Sequence, residues 1–197
     1  MIAVSQRYGQ LQVESRAQWR AWLAEHAADT PGIWLITYKK SSGGPYVSYD
    51  DVVEEALCFG WVDSKGLGLD AERSQLLMTP RKAGSGWSRP NQQRIAKLTE
   101  AGLMTPAGNA VVERAKADGS WTALDDAWNL IEPGELRAAL DADGEARRRW
   151  NAFPPSAKRA ILEWIGAAKR PATREKRIAE TARLAAKGER ANEWRPR

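Results

Sequence analysis

The chain has 197 residues, 43% of them hydrophobic, which suffices for one domain, or one domain with a smaller appendage, around a buried core. No apolar run approaches the roughly 20 residues of a membrane-spanning helix, and the first residues lack the pattern of a signal peptide. A single cysteine excludes a disulfide within the chain. We therefore expect a cytoplasmic protein.

The net charge of +5 is spread unevenly along the chain. Residues 1–120 hold 14 Lys or Arg against 13 Asp or Glu, residues 121–144 hold one Arg against six acids, and residues 145–197 hold 15 against six. Such a C-terminal basic block is typical of a surface that meets nucleic acid, an acidic membrane or an acidic partner, or of a solvated helical face. The change in charge predicts two domains, over residues 1–120 and 121–197.

The first 120 residues alternate between strand and helix patterns. Period-2 alternation and β-branched residues predict strands at 11–13, 33–39, 61–65 and 74–79. Capping residues and apolar stripes predict helices at 16–27 after Ser15, from Ser48 to Gly60, from Ser88 or Asn91 to 101, and from Thr105 to 118. The predicted fold is α+β, with a small mixed sheet of about four strands and helices packed on it.

From Trp121 onward only helical patterns follow, which predicts an all-helical C-terminal subdomain. The predicted helices cover about 133–141, 144–151, 155–169 and 172–187, and prolines separate them. The tail after Gly188 is polar, and Trp194 is its candidate docking residue.

Two tryptophan-centred segments, 56–64 and 79–91, combine aromatic, charged and turn-forming residues. Tryptophan can stack on a ligand, Arg81 can clamp an anionic group with its planar fork, and Asp63 can accept a hydrogen bond or a proton. The predicted ligand-binding residues are Lys40, Trp61, Asp63, Arg81, Ser85, Trp87, Ser88 and Asn91. The same residues also suit a buried core with solvated loop charges, and the sequence leaves this alternative open.

The sequence predicts no metal site and no cofactor. One histidine and one cysteine cannot form a Cys/His zinc cluster, and the glycines at 43–44 and 84–86 lack the spacing of phosphate-binding loops. We expect His26 to cap or cover the end of the first helix. Cys58, near a helix C-terminus, is expected to be a buried structural thiol, with a pocket-lining thiol as the alternative.

Three arginines near the C-terminus fall on one helical face. Arg170, Arg174 and Arg177 follow the i, i+4, i+7 spacing, which predicts a surface that binds an acidic protein partner. Nucleic acid is not the expected partner, because charge alone is present without a recognition element.

Motifs along most of the chain, from about residue 10 to 190, resemble the YdeI/OmpD-associated family of bacterial proteins, also called bacteriocin-protection proteins. The matching pieces are Trp34-Leu35, Lys39-Lys40, Ser42-Gly43, Tyr49, the runs from Glu54 to Ser64 and Thr79 to Asn91, and Trp164-Ile165, Ala168-Lys169, Thr173-Arg174 and Arg177-Ile178. Val62 stands where isoleucine is more usual. The resemblance implies association with an outer-membrane porin and resistance to bacteriocins or cationic antimicrobial peptides. It implies no catalytic residue.

These observations support two hypotheses. The first is a protein that binds a small anionic or aromatic molecule through the tryptophan, arginine and aspartate residues above, with any catalysed reaction left open. The alternative is a non-enzymatic module for stress or antimicrobial resistance, which docks an acidic partner through its basic C-terminal helices.

Overall fold

The computed structural model describes residues 8–193. They fall into two compact units that divide between Trp121 and Thr122, and each unit is described by itself below. This division lies one residue from the predicted boundary between residues 120 and 121. That each unit is an independent domain stays a prediction.

The first unit is built on a four-stranded mixed sheet, which confirms the predicted α+β fold. Its strands are β1 (Gly9–Gln12), β2 (Ile33–Tyr38), β3 (Trp61–Gly68) and β4 (Arg73–Pro80). Their spatial order is β1-β2-β4-β3, with β1 parallel to β2 and the other pairs antiparallel. Strand β4 is therefore an inner strand, paired along both of its edges.

Four helices of the first unit follow their sequence signals closely. They are α1 (Arg16–His26), α2 (Tyr49–Cys58), α3 (Arg89–Glu100) and α4 (Pro106–Ala117). The side chains of Ser15, Ser48 and Thr105 accept hydrogen bonds from backbone N–H groups of the first helical turns. These bonds satisfy donors that a helix start leaves unpaired, so the predicted caps are confirmed.

Helix α2 is buried on two sides. Its Val52 and Ala56 pack with Trp19 and Leu23 of α1 against one face of the sheet, where Met78 is fully buried. On its other side, α2 packs against α3 and α4 in a second cluster. The helices therefore cover one sheet face, and β4 alternation places Leu77 and Thr79 on the other face.

A β-bulge interrupts the pairing of β3 with β4. Asp63 pairs with Met78 but Gly66 pairs with Leu76, so β3 carries one extra residue. The bulge breaks the alternation that would place Trp61, Asp63 and Lys65 on a single face. Beyond it, β3 runs three residues past its predicted end, to Gly68.

Glu55 of α2 is a buried carboxylate that two arginines of α1 neutralise. Its side chain is 4% exposed and accepts from Arg16 Nε and Arg20 Nη1, each at 2.6 Å. Arg16 also donates to Asp51 at 2.8 Å and to Glu54 at 2.9 Å. This network fixes α1 against α2, because a buried carboxylate is tolerated only when it is paired and hydrogen-bonded.

The second unit is helical, with five helices in its described part. They are α5 (Asp125–Trp128), α6 (Gly134–Asp141), α7 (Gly144–Ala152), α8 (Pro155–Gly166) and α9 (Pro171–Ala185). Its core is a single cluster that includes Leu136, Leu140, Trp150, Ile161 and Ile165. The sequence patterns predicted four of these helices and missed α5, which is too short to show an apolar stripe.

No helix within residues 8–193 combines the length and the apolar character that crossing a membrane requires. Two sequence predictions concern residues outside this range: the lack of a signal peptide, judged on residues 1–7, and the docking of Trp194. Within the described range, Cys58 is fully buried, as predicted, and burial raises the pKa of its thiol.

Gly108 allows helix α4 to contact the end of α2. A Cβ at this position would lie 2.2 Å from the Cys58 carbonyl oxygen. We therefore expect Gly108→Ala to lower the free energy of unfolding by about 1–3 kcal/mol, because backbone must move to relieve the clash. Gly134→Ala is the control, since a Cβ there meets no atom within 4 Å. Urea unfolding measures both, and equal stabilities would contradict this packing.

Replacing the buried carboxylate is expected to destabilise the first unit. Glu55→Gln places an uncharged amide against Arg16 and Arg20, and we expect a loss of about 2–3 kcal/mol in urea unfolding at neutral pH. Glu113→Gln removes a carboxylate from an exposed pair with Lys116 and should change stability by less than about 0.5 kcal/mol. A Glu55→Gln variant as stable as wild type would show that the network contributes little.

Candidate functional site

The structure does not bring the eight predicted ligand-binding residues into one cavity. Trp61 lies in the core between the sheet and α1, whereas Trp87 lies in the cluster formed with α3 and α4. Lys40 is exposed in the turn after β2. Arg81 and Ser85 line one cavity, and Arg81 and Trp87 line a second, smaller one.

Trp61 is enclosed by the core. It is 1% exposed, its Nε1 donates to the Ala27 carbonyl oxygen at 3.2 Å, and its ring meets Trp22 edge-on with centroids 5.9 Å apart. A hydrogen-bonded indole with no free face is not available to stack on a ligand. Trp61 therefore belongs to the scaffold.

Arg81, at the end of β4, is a buried cation. Its guanidinium carbon lies 3.8 Å from the centroid of Trp87, which is itself 1% exposed and packs against Trp121. Arg81 Nη2 donates to the Gly86 carbonyl oxygen at 2.6 Å. The stack and this bond fix the plane of the guanidinium.

No carboxylate of the described residues forms an ion pair with Arg81, which is 8% exposed and whose Nε is buried without a hydrogen-bond partner. Burial lowers the pKa of Arg81 to about 10, and the nearby Asp63 carboxylate opposes this shift. Because this pKa remains far above neutral pH, the guanidinium is charged and only partly compensated.

Asp63 lies near Arg81 but forms its hydrogen bond with a different residue. Its Oδ2 accepts a hydrogen bond from Tyr49 Oη at 2.9 Å. Burial, followed by this bond, raises the pKa of Tyr49 to about 12, so the phenol stays neutral across the physiological range. Asp63 thus contributes charge near Arg81 while its hydrogen bond positions Tyr49.

Beside Arg81 lies a cavity of about 590 Å³, here called the Arg81 pocket. It lies on the sheet face opposite α1 and α2, because Leu77, Thr79 and Arg81 alternate onto that face. Its lining residues are Tyr8, Pro31, Val62, Ser64, Leu77, Thr79, Pro80, Arg81, Lys82 and Ser85. They provide two cations, four hydroxyl groups and an apolar floor, with no carboxylate.

The remaining predicted ligand residues have structural roles. Ser85 Oγ donates to the Lys82 carbonyl oxygen at 2.6 Å and so closes the turn beside the pocket. Ser88 precedes α3 as its N-cap, although its side chain makes no capping hydrogen bond. Asn91 lies inside α3 and does not begin it; its Oδ1 accepts from Arg94 at 3.0 Å.

The three predicted partner-binding arginines do not form an open basic face. Arg177 donates to the Trp164 carbonyl oxygen, and its guanidinium carbon lies 4.9 Å from the Trp164 ring centroid. Arg174 lies 3.8 Å from the Glu135 carboxylate of α6. Arg170 is the exposed N-cap of α9. Two of the three are therefore engaged within the second unit, and docking of an acidic partner stays a prediction.

A second cavity, of about 460 Å³, was not predicted. It opens on the helix-bearing face of the sheet, and three tyrosines (Tyr38, Tyr46 and Tyr49) stand around it, so it is called the tyrosine pocket below. Among residues 8–193, no group of three His, Cys, Asp or Glu side chains is placed to hold a metal ion. In the sequence these tyrosines form no recognisable motif. Tyr46 and Tyr49 only stand close after the glycines at 43–44.

Two family models match separate parts of the chain. Residues 11–111, slightly more than half of it, match a domain of unknown function (DUF8412). Residues 129–188 match the family described as Bacteriocin-protection, YdeI or OmpD-Associated, which confirms the predicted resemblance and locates it in the C-terminal part. No curated protein and no solved structure matches the chain. The chain therefore belongs to the DUF8412 family, and its residues 129–188 are similar to the YdeI/OmpD-associated family.

Proposed function

We propose that the chain is a small-molecule-binding protein that holds an anionic group against Arg81 in the Arg81 pocket. The observation that carries this proposal is a buried, charged guanidinium without an ion-pair partner at the wall of an open cavity. No reaction is assigned to the site.

The energetic argument starts from the cost of burying a charge. An unpaired buried ion costs several kcal/mol, and proteins normally offset this cost with a counter-ion. Glu55 in the same unit has two arginine partners, whereas Arg81 has the Trp87 ring and a single carbonyl oxygen. A bound anion would supply the ion-pair partner that Arg81 lacks among the described residues, since the nearby Asp63 carboxylate is hydrogen-bonded to Tyr49.

The chemistry of the lining narrows the ligand class. Lys82 adds a second cation, exposed at the rim, and Ser64, Thr79 and Ser85 add hydroxyl groups. Both serine hydroxyls already donate to backbone carbonyl oxygens, which leaves their oxygen lone pairs as acceptors. From the two cations we expect a ligand with a carboxylate or phosphate group at Arg81 and Lys82, and from the serine oxygens a ligand that also carries a hydrogen-bond donor. Its body would lie on the apolar floor.

The size of the cavity suits such a ligand. About 590 Å³ falls within the range of small-molecule sites, which are mostly apolar with a few convergent polar groups. Trp87 acts here by holding the guanidinium plane, since its buried ring has no free face for a ligand. A role in stress or antimicrobial resistance stays a prediction from the family resemblance.

Loss of the Arg81 charge is expected to abolish anion binding. Inorganic phosphate, pyrophosphate and citrate should raise the melting temperature of the wild type at constant ionic strength, by an amount equivalent to about 1.4 kcal/mol at ten times Kd. Arg81→Met should weaken the binding of the effective anion at least tenfold in isothermal titration calorimetry, and Lys82→Ala about threefold, because that cation is exposed.

Arg73→Met is the control, because Arg73 begins β4, the strand that Arg81 directly follows, but is paired with Asp70 at 2.6 Å. It should bind the anion as the wild type does. Arg81→Met should also stay within about 1 kcal/mol of wild-type stability in urea, since the desolvation cost that it removes offsets the lost stack and hydrogen bond. Equal losses in the two arginine variants, or a wild type that responds to none of the anions, would contradict the proposal.

A further inference from the structure

We propose that the tyrosine pocket is a second binding site, which takes a flat, uncharged aromatic molecule. The pocket shares no lining residue with the Arg81 pocket and lies on the opposite face of the sheet. It is lined by Leu35, Thr37, Tyr38, Lys39, Tyr46, Val47, Tyr49, Val52, Gly66, Leu67, Gly68, Ser74, Gln75 and Leu76.

The floor of the pocket is apolar and the rim is aromatic. Leu35, Val47 and Val52 are buried beneath it, at 1%, 4% and 3% exposure. Tyr46 and Tyr49 are 47% and 52% exposed, which is unusual for such large side chains. Rings with an apolar face and a polar tip are well suited to hold a planar ligand at a surface opening.

Two of the three rings are positioned before any ligand arrives. Tyr49 is held by its hydrogen bond to Asp63. Tyr38 is held by the glycine-rich turn, because Gly44 lies so close that a Cβ there would be 2.5 Å from the Tyr38 ring. Preorganised aromatic surfaces lose little conformational entropy on binding.

Strand β3 opposite these rings presents glycines where side chains would otherwise fill the space. A Cβ at Gly68 would meet no atom within 4 Å, and a Cβ at Gly66 only Leu76 Cδ1 at 3.7 Å. Neither glycine is in the left-handed region, so backbone conformation does not require them. Glycine in a strand without such a requirement is typical of a place where a ligand approaches the backbone closely.

The charges around the pocket favour an uncharged ligand. Lys39 is the single charged residue among the lining residues, and its Nζ donates to the carbonyl oxygens of Asp70 at 2.6 Å and Ala71 at 3.2 Å. Its ammonium group is thus already hydrogen-bonded to the backbone. The polar groups that remain, on Thr37, Ser74 and Gln75, suit the edge substituents of a neutral ring.

The test uses N-phenyl-1-naphthylamine, a neutral aromatic probe whose fluorescence rises in apolar surroundings. We expect saturable binding to the wild-type chain. Gly68→Leu should weaken it at least tenfold, because the new side chain occupies the open space over the pocket. Gly144→Leu makes the same change at an exposed helix start and should bind as the wild type does.

A second pair of variants keeps the test decisive if Gly68→Leu does not fold. Tyr46→Ala should weaken binding about fivefold and Tyr46→Phe should retain it, since the ring face and not the hydroxyl makes the contact. Arg81→Met should leave probe binding unchanged, which separates this site from the anion site. No saturable binding to the wild type, or no loss in both Gly68→Leu and Tyr46→Ala, would overturn the inference.

Discussion

The cost of burying a charge is the constraint that organises the first unit. For Glu55 this cost is offset by ion pairs with Arg16 and Arg20. The network joins α1 to α2, so that the two helices form one layer on the sheet. For Arg81 the cost is offset only in part, by the Trp87 ring and the Gly86 carbonyl oxygen. The same physics therefore distinguishes a charge that is fully paired within the fold from a charge that is only partly compensated.

Strand alternation then separates two pockets on a single sheet. The α1–α2 layer covers only part of one face, and the uncovered end of that face becomes the tyrosine pocket. The residues of β4 that alternate to the other face end at Arg81. The bulge after Asp63 contributes to the tyrosine pocket, because it shifts β3 by one residue and so brings Gly66 and Gly68 into register with Leu76 and Ser74, which also line that pocket.

Local signals predicted the elements well, because capping and chain reversal are decided by a few adjacent residues. Ser15, Ser48 and Thr105 cap helices as expected, and Gly60 ends α2 with a φ of 75°. Which distant residues come together in one pocket was harder to predict. Trp61 and Arg81 looked alike as pocket candidates, but which of them is enclosed depends on where the helices cover the sheet. The tyrosine pocket joins residues 35–52 to residues 66–76, and only the strand register brings these segments together.

The two family matches divide the chain at nearly the place where its structure divides. The family named for bacteriocin protection matches residues 129–188, where Arg174 and Arg177 are engaged with Glu135 and Trp164 inside the second unit. Both cavities proposed as binding sites are lined by residues before Trp121, mostly within the domain whose function is unknown. The family name therefore describes a part of the chain that holds neither cavity. The features that favour ligand binding lie in the first unit, where a buried cation forms no ion pair among residues 8–193 and a strand carries glycines that its backbone does not require.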